Sequence, residues 1–207
     1  MIDVALSIPI WTLVTFLGAA LLLYLTPGPD MLFTIASGMR GGPAPGIAAA
    51  AGISLGSFCH TLIAAAGLAV LLLAYPLAFD VIRYAGAAYL AWLAWTCWND
   101  TGTPEDRAGR TETMRAFKRG FLTNILNPKV ALFVLAFLPQ FTDPALGPVW
   151  QQIIILGALL GICGFALYAL LGAFSGFAAE RMTHASRWMG KASAIVFGGL
   201  AVRIVLD

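Results

Sequence analysis

Charge is what this sequence lacks most. Charged residues make up 11% of the chain and hydrophobic ones 60%, whereas soluble domains carry about a quarter charged. A chain this poor in charge has too little polar surface to face water, so a large soluble domain is excluded. Cysteine and histidine are also scarce. Cys59, Cys97 and Cys163 all lie in apolar runs without zinc-ligand spacing, which argues against a disulfide scaffold or a zinc site. Basic and aromatic residues do not interleave, so a nucleic-acid partner is not expected. No motif calls for a cofactor, and none is expected.

Long apolar runs are what is there, and they make the chain an all-α integral membrane protein in contact with the lipid bilayer. At about 20 apolar residues per crossing, six spans and short connections use nearly all 207 residues. The runs place spans at residues 11–38, 46–74, 78–98, 118–141, 149–173 and 187–206, with Pro43, Pro45, Pro76, Pro144 and Pro148 punctuating the loops. The longest connection, Asn99 to Arg119, is polar, and its end from Met114 is expected to lead helically into the fourth span. The N-terminus has no basic region and no small-residue cleavage site, so the first apolar run reads as a span and not a removed signal peptide. Residues 1–207 form one transmembrane domain.

Basic residues are segregated. With six spans, loops one, three and five share a side, and they hold Arg40; Arg107, Arg110, Arg115, Lys118 and Arg119; and Arg181, Arg187 and Lys191, nine of the twelve. Cytoplasmic loops are enriched in Lys and Arg. The expectation is therefore three cytoplasmic loops and both termini on the periplasmic or extracellular side.

Two spans are interrupted. Thr26-Pro27-Gly28-Pro29-Asp30 breaks the first and Asn127-Pro128-Lys129 breaks the fourth. Proline removes a backbone donor and frees carbonyls that lipid cannot satisfy, and an ionised side chain at that depth costs roughly 2.5–3.5 kcal/mol or more. A helix that only anchors a protein has no use for such breaks. Paired broken helices mark the binding site in many transporters.

The halves also echo each other. Phe16 and Pro27 are matched by Phe117 and Pro128, Gly52 and Gly56 by Gly157 and Gly161, and Arg83-Tyr84-Ala85-Gly86 by Arg187-Trp188-Met189-Gly190, at offsets between 101 and 105. Three spans per half makes any duplication inverted: a first repeat over residues 8–98, a basic loop over 99–117 and a second repeat over 118–207.

Counting along the spans puts Asp30, His60 and Lys129 near mid-membrane, with Thr26, Ser54, Ser57, Thr61, Asn124 and Asn127 around them. Half-helix N-termini after Pro29 and Pro128 suit a carboxylate, and the carbonyls before the breaks suit an ammonium group. The expected substrate site is Asp30, Lys129, Asn127, Asn124 and the Thr26, Pro27, Gly28, Pro29 turn, suited to a zwitterion such as an amino acid. Asp30 and His60 are the candidate proton carriers. Plainer roles stand beside these: Asp30 as an N-cap, Lys129 as the ion-pair partner of Asp30, and His60 as a packing residue with one hydrogen-bond partner.

Pro27-Gly28-Pro29 after an apolar first span, and the glycine series Gly38, Gly42, Gly46, Gly52, Gly56 running to Gly67-Leu68, resemble the signature of the lysine-exporter and homoserine/threonine-exporter (LysE/RhtB) family. Gly120-Phe121 through Asn127-Pro128-Lys129 to Phe137-Leu138-Pro139-Gln140-Phe141 is similar to its second block, and Gly86-Ala87-Ala88-Tyr89-Leu90 to its third-span motif. The resemblance implies a permease of the bacterial inner membrane that exports amino acids or close derivatives by exchange with protons, and a homodimer. Three other functions compete. A metal-cation exporter would want more carboxylates, imidazoles or thiolates than Asp30 and His60 supply. A membrane thiol–disulfide relay would use Cys59 and Cys163, equivalent at an offset of 104, yet neither adjoins a base that lowers a thiol's pKa. Intramembrane hydrolysis by Ser57 and His60 lacks a third, orienting group.

Overall fold

Proline decides where the helices begin. Its fixed φ and missing N–H fit the first helical turn, and Pro29, Pro43, Pro76 and Pro128 each open a helix. The computed structural model describes residues 1–67, 76–99 and 110–180 and single positions between 191 and 205. Among the described residues every regular element is helical: α1 (Ile2–Ser7), α2 (Ile10–Leu25), α3 (Pro29–Gly41), α4 (Pro43–Ala65), α5 (Pro76–Trp98), α6 (Arg110–Ile125), α7 (Pro128–Leu132) and α8 (Val149–Glu180).

Two helices, Pro43–Ala65 and Val149–Ala178, are each long and apolar enough to cross a membrane. The pairs α2 with α3 and α6 with the segment from Pro128 to Phe141 also qualify, bent by 58° and 55° at their breaks, so counting each bent pair as one span gives four. Leu22, Ile162, Leu170 and Phe174 are exposed, while Asp30, Asn124, His60 and Gln152 are buried. Apolar outside and polar inside is the arrangement lipid selects, since a water-facing surface rarely carries so much contiguous apolar area.

Several boundaries differ from the sequence reading. α4 ends at Ala65, where Gly67 takes a φ of 75° that L side chains avoid; the rest of the second span expected to residue 74 lies outside the described residues. The third span starts at Pro76 and ends at Trp98, close to expectation, and the fifth runs on to Glu180. The helix entering the fourth span begins at Arg110, four residues ahead of the lead-in expected from Met114. Past the second break the helix is irregular: α7 passes into a π-helical turn at Phe133–Phe137 and a 3₁₀ turn at Leu138–Phe141, where Pro139 cannot continue an α-helical ladder. Residues 68–75, the loop from 100 to 109 and most of the sixth span, with its Arg187 to Gly190 echo, lie outside the described residues.

Glycine brings α4 against its neighbours. A Cβ on Gly172 would come within 2.9 Å of Gly46 backbone atoms, and one on Gly120 would meet the Ala49 carbonyl at 2.5 Å. Gly52 faces the Phe117 carbonyl just as tightly. Backbones this close gain dispersion contacts that larger residues would forbid. The result is α4 packed closely against both α6 and α8.

Candidate functional site

Each break frees carbonyls at the end of one helix, and side chains from elsewhere satisfy them. At the end of α2, Leu22 O accepts from Thr26 N at 3.0 Å and from Thr26 Oγ1 at 2.6 Å. Leu23 O and Thr26 O accept from Lys129 Nζ at 2.6 and 2.8 Å, and Tyr24 O accepts from Tyr168 Oη at 3.4 Å. At the end of α6, Asn124 O accepts from Asn127 N at 3.0 Å and has His60 Nε2 at 3.3 Å. Buried backbone groups are almost always paired, and here the pairing ties the two broken spans together.

Lys129 is therefore held by carbonyls and not by Asp30; the two are not ion-paired. An ammonium has three donors, so one remains for a ligand. The partial negative charge at the C-terminal end of α2 offsets the lysine's charge. Asn127 caps α7, its Oδ1 accepting from Lys129 N at 3.1 Å. Asp30 does not serve as the cap of α3: that position is Gly28, with no side-chain hydrogen bond.

Asp30 is the second residue of α3, within its first turn, and is 2% exposed. Asn124 Nδ2 donates to its Oδ2 at 2.6 Å, and Thr34 Oγ1 donates to its backbone carbonyl at 2.8 Å. Asp30 Oδ1, Asn124 Oδ1, Ser57 Oγ and His60 Nδ1 are buried with no hydrogen-bond partner. A carbonyl only accepts, so His60 Nε2 carries the proton toward Asn124 O, and Nδ1 presents a lone pair. All four orphaned atoms can accept. Four buried polar atoms without partners are unusual, since such groups normally find a partner.

The structure brings together Asp30, Asn124 and His60 through these bonds, with Ser57 one turn before Thr61, whose hydroxyl donates to Ser57 O at 3.1 Å. Gly56 makes the room: a Cβ there would stand 2.8 Å from Asn124 Oδ1. Thr26 and Pro27 are exposed at the bend, whereas Gly28 and Pro29 are buried. Ser54 turns away toward Gly161 O at 3.3 Å. Two residues escaped sequence reasoning, Tyr24 and Tyr168. Tyr24 Oη donates to Leu160 O at 2.8 Å, and the two rings meet edge to face with centroids 5.3 Å apart. Their signal was a phenol inside an apolar run, which in a membrane helix reads as an interfacial anchor.

Among the described residues no group of three or more His, Cys, Asp or Glu could hold a metal ion. Cys59 and Cys163 are free thiols, each half-buried.

A buried acid, a lysine gathering broken-helix carbonyls and two bent spans thus come together in the interior. The sequence model of the LysE type translocators matches residues 21–207. The chain belongs to that family. It is a transporter and not an enzyme, which removes the relay and hydrolysis readings. A leucine efflux protein of Salmonella choleraesuis is 34% identical over 167 residues, covering 77% of this chain and 78% of that protein. A leucine efflux protein of Klebsiella pneumoniae is 30% identical over 197 residues, covering 92% of each. An uncharacterized membrane protein of Pseudomonas aeruginosa is 35% identical over 169 residues, 78% of each. No solved structure matches the chain.

Proposed function

We propose that this translocator exports amino acids, with leucine or another aliphatic amino acid as first candidate, by exchange with protons. The observation that carries the reading is the set of orphaned acceptors. A substrate ammonium has three N–H donors, and Asp30 Oδ1, Asn124 Oδ1 and Ser57 Oγ offer three unpartnered oxygens. A buried carboxylate gains most from a cationic partner that is also hydrogen-bonded. The substrate carboxylate goes to the third donor of Lys129 and the amide-rich start of α7. Asp30 and His60 Nδ1 are the proton acceptors, loaded when the amino group has left.

The leucine efflux proteins among its relatives support an aliphatic side chain. The matched bends support two inverted three-span repeats, as does the cross-bracing, in which Tyr168 holds the first break and His60 the second. The basic loops support an inner-membrane orientation with both termini outside. A homodimer follows from the family resemblance alone.

The test is efflux of radiolabelled amino acids from loaded proteoliposomes, with and without an imposed proton gradient. Gradient-stimulated efflux of an aliphatic member is expected. No efflux across the whole panel would overturn the reading.

A further inference from the structure

A second recess lies away from the breaks, between α3, α5 and α6. It is lined by Phe33, Ser37, Arg40, Leu93, Glu112 and Arg119, among others. Its water-sized interior is about 20 Å³, where one water needs roughly 10–15 Å³. Counted with the solvent at its open mouth it encloses about 380 Å³.

Two features give it meaning. The first is position. Asp30, Phe33, Ser37 and Arg40 follow one another along a single face of α3 at steps of three and four. On α6, Glu112, Ala116 and Arg119 line the recess at the same steps, and the buried Asn124 lies five residues beyond Arg119 on a different face. Ser37 stands seven residues from Asp30, about 10 Å along the axis. The recess thus lies on the same two helices as the Asp30–Asn124 pair, displaced from it along each, with Arg40 and Arg119 in its lining. The second feature is chemistry. Arg119 is held with its guanidinium carbon 5.2 Å from the Trp92 ring centre, and its backbone carbonyl accepts from Tyr89 Oη at 3.2 Å. The Trp92 face sits against this guanidinium, whose planar fork is the group best suited to a carboxylate. Glu112, 2.8 Å from Arg115, adds the opposite charge, and Phe33 and Leu93 supply an apolar floor.

We propose that this recess is a separate entry site for an aliphatic amino acid on the cytoplasmic side, with Arg119 taking the carboxylate and Glu112 the ammonium. The inference rests on the amino-acid reading above and adds a second place of binding to it. The interior as it stands has room for about one water, so the mouth has to widen between α5 and α6 when an amino acid enters. Capture at charged residues near the mouth raises the local substrate concentration ahead of the buried step.

The test uses detergent-solubilised full-length protein with Cys59, Cys97 and Cys163 replaced by alanine and with Ser37→Cys as reporter. The rate of N-ethylmaleimide labelling is measured with and without leucine. Leucine is expected to slow labelling at least fivefold, and to do so still when Asp30→Asn, or in a second background Asn124→Ala, disables the central site. Arg119→Gln is expected to remove the protection. Protection that vanishes in both central-site backgrounds, or that survives Arg119→Gln, overturns the entry site. Failure of the amino-acid reading is seen separately, as wild-type proteoliposomes that move no amino acid.

Discussion

The two broken spans bend almost alike, by 58° and 55°, yet they are held by different chemistry. The first break holds only Leu22 O by itself, through Thr26: Gly28 has no side chain to cap α3, and Leu23 O, Tyr24 O and Thr26 O depend on Lys129 and Tyr168 from the other half. The second break caps its own helix through Asn127 and needs only His60 from across the molecule. One break is therefore kept by a charge and the other by neutral groups. The acid follows the same division, since Asp30 is buried beside the first break while Lys129 of the second is half-exposed and reaches over to the first. Similar backbones are thus held in different ways, and under the proposed function the first break binds while the second braces it.

The largest way to break that comparison is Asp30→Asn. It removes the charge but keeps the shape, so transport is expected to fall at least a hundredfold, about 3 kcal/mol, with thermal stability equal to or above wild type because the desolvation cost of a buried charge is gone. Efflux and thermal unfolding on the same preparation check both halves. Lys129→Met should behave the opposite way. It leaves Leu23 O and Thr26 O without their donor, at about 1–3 kcal/mol each, so unfolding moves to lower temperature along with loss of transport. If Lys129→Met is as stable as wild type, the bracing role is wrong.

Packing gives a third test. Gly56→Ala pushes a methyl against Asn124 Oδ1 and should cost about 1–3 kcal/mol, while tilting the amide that orients Asp30. Its efflux should drop more than that of Gly18→Ala, whose added methyl meets nothing. The smallest effect is Asn127→Ala, the loss of one helix cap, worth about 1 kcal/mol and read as a modest shift in unfolding temperature.

Much of this was legible before any coordinates. The prolines announced both bends, because a missing N–H inside an apolar run has few other uses, and Asp30, Asn124 and His60 stood out as polar residues where lipid penalises them. What stayed hidden was reach. Lys129 and Asp30 look like natural partners by depth and charge, but depth says nothing about which way a four-carbon stem extends, and the lysine finds the broken end of α2 instead. Tyr24 and Tyr168 were missed because a phenol's apolar ring hides it in a hydropathy pattern. The end of α4 at Ala65 turned on Gly67, one glycine in a chain with 22, and the π and 3₁₀ turns after Leu132 lie in a run too uniformly apolar to show a change of period.

The central claim is that the orphaned oxygens around Asp30 receive the substrate's amino group. Competition against radiolabelled leucine tests it directly, using leucinol, which keeps the ammonium and lacks the carboxylate, and 4-methylpentanoate, which keeps the carboxylate and lacks the ammonium. Leucinol should compete within about tenfold of leucine itself, a difference of roughly 1.4 kcal/mol, 4-methylpentanoate should compete far more weakly, and Asp30→Asn should bind neither leucine nor leucinol. Strong competition by 4-methylpentanoate, with leucine binding undiminished in Asp30→Asn, would contradict the account.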